Sequence, residues 1–225
     1  MSLLDRPVWA ALKHAPHLAE GGDLAKRFRR DVNLFASARD DSPSSLAALR
    51  GLVVESESIF ILQVPVISVP SGLVATREAQ GVQMLATRPL AARAGDHPIV
   101  ELGDPDASEM LALARLTEPG PFLPRTHTMG RFIGIRINGR LAAMAGERMR
   151  FPGFTEVSGV CTHPEFRGQG MATRLSSVVA NAIQNRGEQA FLHAWTTNHA
   201  AIALYKNMGF ELRSAVRVAV LTRQG

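Results

Sequence analysis

Residues 167 to 172, Arg-Gly-Gln-Gly-Met-Ala, follow the apolar stretch Val157-Ser158-Gly159-Val160-Cys161 through a Thr-His-Pro-Glu-Phe turn. Two glycines at the entrance of a helix cost about 1 kcal/mol each against alanine, so their presence needs a physical reason. A strand running into a helix here leaves the first N–H groups of the helix unpaired and turns its positive end outward. With Gly168, Gly170 and the small Ala172 keeping side chains away, the amides of Arg167, Gly168, Gln169, Gly170, Met171, Ala172 and Thr173 could wrap a phosphate or pyrophosphate, and Arg167 adds charge at the mouth. The plainer reading is a tight turn in which Ala172 permits close helix packing. A P-loop is excluded because no Gly-Lys-Ser/Thr follows, and a dinucleotide fold fits poorly because Thr173 stands at the third glycine and Glu188 precedes its strand.

The elements that must hold this loop can be read on both sides of it. Apolar alternation predicts a strand over 155–162. A helix over 168–186 has Met171, Leu175, Val178 and Ile183 on one side, and Gly187 suits its left-handed cap. A strand over 189–195, a helix opened by Asn198 and ended before Gly209, and a closing strand over 210–221 complete a right-handed crossover unit. Upstream, a helix over 106–117 precedes two apolar runs flanking Asn138-Gly139, a strong hairpin signal.

The first 97 residues carry no pointed chemistry. They predict a short helix opened by Asp5 and Pro7 and a second near residues 42–50, and strand-like runs at 58–63 and 81–86, with a linker at 91–98. The expected division is therefore 1–97, a smaller amino-terminal α/β part, and 98–225, the part that bears the chemistry.

With 225 residues, 46% hydrophobic and 20% charged, the chain can bury a sizeable core. Its formal net charge of +5 is scattered among acids, which favours an anionic small molecule over nucleic acid. The basic run Ala25-Lys26-Arg27-Phe28-Arg29-Arg30 reads as a solvated face. A single cysteine allows no internal disulfide, no secretion signal opens the chain, and the most apolar run is broken by Gln63, Pro65 and Pro70, so a cytoplasmic protein without a membrane partner is expected.

Arg167-Gly168-Gln169-Gly170-Met171-Ala172 resembles the Arg/Gln-x-x-Gly-x-Gly/Ala acyl-CoA-binding motif of the GNAT N-acetyltransferase superfamily, which allows alanine at its last position. Residues 198–210, Asn-His-Ala-Ala-Ile-Ala-Leu-Tyr-Lys-Asn-Met-Gly-Phe, resemble that family's closing motif. The resemblance covers residues 100 to 225. It implies an α/β (α+β) fold with a mixed twisted sheet flanked by helices, and suggests that the amino-terminal part is a truncated, diverged copy of the same fold. It further implies acetyl-CoA as cofactor, with backbone groups of Val160, Cys161 and Thr162 pairing with the pantetheine and the pyrophosphate on residues 167–173. Asn198 becomes a polar contact or a plain helix cap, and Tyr205 the acid that protonates the departing thiolate or a packed aromatic.

An acceptor amine with a pKa near 10 must lose a proton before it attacks. Glu156, placed by alternation on the face of Ser158, Val160 and Thr162, is the first choice as base, as a glutamate at this point is in some relatives. Glu147 and His193 are runners-up. Alternation turns Cys161 to the other face as a small core residue, and leaves Trp195 and Met144 to fill the core or line an acceptor cleft. Expected partners are a small-molecule or peptide amine and no nucleic acid, with a homodimer compatible with this class. The favoured activity is direct acetyl transfer to a primary amine; a non-catalytic acyl-CoA-binding module is the alternative.

Overall fold

Proline at the first helical position opens α1 (Pro7–His14), and proline behind a capping serine, Ser42, opens α2 (Pro43–Gly51). The computed structural model describes residues 2–90 and 95–224. Between the helices lies a small antiparallel sheet of β1 (Ala19–Gly21), β2 (Ala25–Phe28) and β3 (Ala36–Ala38), strands too short to give a periodic signal. β2 corrects the reading of the basic run as a solvated face. Ala25 and Phe28 are buried, and Arg27 is buried beside Glu57 at 2.8 Å; Arg29 and Arg30 remain open.

The remaining elements are β4 (Ser58–Gln63), β5 (Leu73–Ala86), β6 (Ile99–Leu102), α3 (Ala107–Thr117), β7 (Phe132–Ile137), β8 (Arg140–Phe151), β9 (Phe154–Thr162), α4 (Met171–Asn185), β10 (Gln189–Trp195), α5 (His199–Met208) and β11 (Phe210–Arg223). Asn138 and Gly139, at φ of 50° and 80°, form the left-handed pair that joins β7 to β8. Eight strands make one sheet in the order β4-β11-β5-β10-β9-β8-β7-β6, antiparallel throughout except for β9 beside β10.

β5, from before residue 97, lies between β10 and β11, which come from the end of the chain. The boundary near 97 thus divides stretches of sequence, while strands from both stretches hydrogen-bond in the same sheet. Residues 91–94 of the expected linker lie outside the described residues. On one face α4 buries Met171, Leu175 and Ile183 against β8, β9 and β10; on other parts of the sheet α1 packs Val8 and Leu12 near Phe151 and Phe191, and α3 packs Met110 and Leu113 near Phe132 and Met144. Among the described residues no helix is long and apolar enough to cross a membrane, and no group of His, Cys, Asp or Glu could hold a metal ion.

Candidate active site

β9 and β10 start as paired strands and then part. Their parallel register runs only from Phe154 and Gln189 to Glu156 and Phe191; beyond it β10 stays paired with β5, and β9 stays with β8. A cleft of about 620 Å³ opens between them, within the range of small-ligand sites. Gly159 shapes its wall. At φ of 62° it forms a bulge in β9, so Val157 and Val160 both pack beneath α4, three residues apart, where strict alternation would turn one of them away. Cys161 therefore falls in with Phe122 and Phe132, on the side that Arg148 shares, which corrects the expectation that it faces away from Glu156. A Cβ at Gly159 would sit 2.8 Å from the Phe132 ring. Gly159→Ala should accordingly cost about 1–3 kcal/mol in thermal unfolding, the range for forced left-handed backbone, and weaken cofactor binding with it.

At the cleft's end the chain makes a short 3₁₀ turn, Pro164–Phe166, and enters α4 through Gly168 and Gly170, at φ of 81° and 75°. The glycines are there for backbone conformation, since a Cβ at either would meet nothing within 4 Å. The Arg174 N–H, on the Gly170 carbonyl at 3.0 Å, is the first in the helix to be bonded. The amides of Gly168 to Thr173 make no hydrogen bond among the described residues, and Arg167 lies exposed beside them. The Thr162 hydroxyl, also lining the cleft, is buried without a partner. These unmet donors and the open strand edge of β9 fit a pyrophosphate on a pantetheine arm.

Glu156 is fully buried. Both its oxygens accept from Arg148 at 2.7 Å, and one also accepts from His193 Nδ1 at 2.7 Å. Burial alone would raise its pKa, but the Arg148 charge and hydrogen bonds, aided by His193, outweigh it and hold the carboxyl near about 2. Held in this way, Glu156 does not line the cleft, so the structure does not bring the expected base to the site. Neither runner-up replaces it. Glu147 is buried in an ion pair with Arg186 at 2.9 Å and does not line the cleft. His193 borders the cleft, but its Nδ1 is held by Glu156 and its Nε2 by the Gln83 amide nitrogen at 3.0 Å. Because Gln83 Oε1 accepts from Arg213 at 2.8 Å, its NH₂ faces the ring, which fixes the proton on Nδ1.

Tyr205, on α5, borders the cleft with its ring edge-on to Phe210 at 5.8 Å. Burial pushes its hydroxyl up to about 12; the Ser176 hydroxyl lies near enough to ease this slightly but not in hydrogen-bond geometry. Asn198 caps α5 by accepting the Ala201 N–H at 3.1 Å and lines the cleft as well. Burial pushes the Cys161 thiol up to about 11, which suits a core residue and not a nucleophile. Met144 is wholly buried, whereas Trp195 stands at the mouth.

One residue escaped the sequence reading. Glu118 ends α3 in the left-handed region, at φ of 49°, and among the described residues it is the carboxylate that lines the cleft. Its signal was present in Thr117-Glu118-Pro119-Gly120-Pro121: a glutamate where a helix usually ends on glycine.

A family model described as FR47-like protein matches residues 132–218. A search of curated proteins returned no match. Among solved structures, a GNAT-family protein from Novosphingobium aromaticivorans DSM 12444 is 39% identical over 100% of both chains, with a TM-score of 0.92. A GCN5-related N-acetyltransferase from Kribbella flavida shares the fold at a TM-score of 0.66 and 17% identity, over 100% of this chain and 97% of the other. With that level of identity to the Novosphingobium protein along its whole length, and with the splayed strands and amide-lined loop in place, the chain belongs to the GNAT family of acetyltransferases.

Proposed function

We propose that the protein transfers an acetyl group from acetyl-CoA to a primary amine in a direct step. The observation that carries this is the junction of three features in one cleft: the unpaired amides of residues 168–173, the unpaired edge of β9, and Tyr205 at its border. When bound, the cofactor supplies an activated thioester. The chain's residues do the rest. Amides at the α4 entrance and Arg167 hold negative charge. The β9 edge from Val160 to Thr162 offers backbone donors and acceptors in the manner of an added strand. A free N–H on that edge also stabilises negative charge developing on the acyl oxygen. Tyr205 keeps its proton and offers it to the sulfur. In balance, the C–N bond forms as the C–S bond breaks, and an ammonium acceptor gives an amide, a thiol and one proton.

Binding and turnover test different parts of this. Gly170→Glu places a carboxylate among the amides meant for phosphate, with no protein atom in its way. CoA affinity measured by calorimetry should fall about 100-fold or more, as expected for loss of several charge-assisted hydrogen bonds, while far-UV circular dichroism persists. Gly170→Ala controls for backbone strain alone. Unchanged affinity in the glutamate variant would remove the cofactor assignment. Release of free thiol from acetyl-CoA in the presence of amines then tests the transfer itself.

A further inference from the structure

Beside the cleft, beyond Trp195 and Glu118, lies a second hollow of about 420 Å³. Its floor is the β5–β11 ribbon, where Ala79 faces Val218 and Arg77 faces Val220, and the small side chain of Ala79 leaves the space open. Its roof is the end of α3 and the loop Gly120-Pro121-Phe122. Phe60, from the amino-terminal stretch, closes one side. Trp195 and Glu118 border both this hollow and the cleft, so a ligand in the hollow meets the cofactor site there.

The charges on this apolar chamber are unbalanced. Arg77 and Arg115 line it, both are exposed, and neither is in an ion pair among the described residues. Glu118 is its carboxylate, likewise without a described partner. Arg148, deeper on the His193 side, is already neutralised by Glu156. A polycation would meet two free guanidinium groups and a single acid. A ligand that brings its own anion would neutralise them.

We infer that the acceptor is a primary amine carrying an apolar body and a carboxylate. Its ammonium sits at Glu118 beside the cleft, its apolar part fills the space over Ala79 and Val218, and its carboxylate meets Arg77 and Arg115. This rests on the acetyl-transfer reading above and gives the amino-terminal stretch a role as a wall of the acceptor chamber. Glu118 acts on the acceptor directly by holding its ammonium at the edge of the cleft; solvent takes the proton that must leave before attack.

The test compares phenylalanine and 6-aminohexanoate with phenylethylamine, which lacks the carboxylate, and with spermidine and kanamycin, following thiol release from acetyl-CoA. A carboxylate-bearing amine should give a kcat/KM about tenfold or more above phenylethylamine, as paired charged hydrogen bonds allow, and above both polycations. In Arg77→Gln/Arg115→Gln that preference should shrink to about unity through KM, with CoA affinity unchanged. Glu118→Gln should lower the rate most near neutral pH and less at high pH, where free amine is already present. Preference for spermidine or kanamycin, an unaltered preference in the double variant, or CoA binding without turnover of either carboxylate-bearing amine would each overturn the inference. Failure to bind CoA at all would instead remove the underlying acetyl-transfer reading.

Discussion

Tyr205→Phe is expected to lower kcat about 10²-fold, the range for a positioned proton donor, while acetyl-CoA affinity stays within about a factor of two. The substitution keeps the ring against Phe210 and the side of α5 that borders the cleft, and removes only a hydroxyl. Burial raises that hydroxyl from 10.0 to about 12, so its protonated form persists to higher pH than usual. The sign is therefore clear: ionisation of Tyr205 causes no fall in wild-type rate until the pH approaches 12. A thiol with a pKa near 8.5 leaves more readily as thiolate at high pH, so part of the loss in the variant should return there. Rate profiles against pH for both proteins would show this. A parallel loss of CoA affinity and stability would mark Tyr205 as a packing residue, and full activity would end its role as the acid.

Glu156→Gln should destabilise the fold by about 3–5 kcal/mol, because it leaves the buried Arg148 guanidinium without its counter-charge. Chemical denaturation would measure this, and Glu156→Gln/Arg148→Met should recover part of it by removing both charges. Activity lost by the single variant should be lost evenly across pH; recovery at high pH would restore Glu156 as the base. The carboxyl's depressed pKa has a second consequence. It lies at about 2 in the folded chain against an ordinary 4.5, so its contribution is fully present above 4.5 and is lost as pH falls from there towards 2. At 1.36 kcal/mol per pKa unit this is about 3 kcal/mol in order of magnitude, and the glutamine variant should show a correspondingly flatter acid limb.

The parts of the site that the sequence revealed are those built from neighbours along the chain. Glycines at 168 and 170 with the helix entrance after them, Asn138-Gly139 with φ positive at both, and Asn198 capping α5 each depend on residues within one turn. Glu156 could not be placed in the same way. Its partners Arg148 and His193 come from β8 and β10, and the faces that β8 and β9 present to one another depend on bulges, with extra residues in β9 at Gly159 and in β8 before Arg150. A single inserted residue reverses the parity on which alternation depends. The position of β5 was equally out of reach, since pairing between distant strands leaves no local mark. Glu118 lay between these cases: the strained helix end was local, but the hollow that makes it matter is assembled from both stretches of the chain.

The insertion of β5 between β10 and β11 also governs how the molecule can be made. Both partners of this central strand are encoded about half the chain or more away, Trp195 opposite Gly81 and Arg223 opposite Leu73. On a ribosome β5 emerges well before β10 and β11 and waits, its edges unpaired, until both have been made. Sheet closure is thus an event of high contact order, slower than the local hairpin of β7 and β8, and the nascent chain passes through a stage in which a long strand is open to other chains. The charged and polar residues Thr76, Arg77, Glu78 and Gln80, exposed along β5, are the kind of side chains that keep such a waiting edge from pairing with the wrong partner.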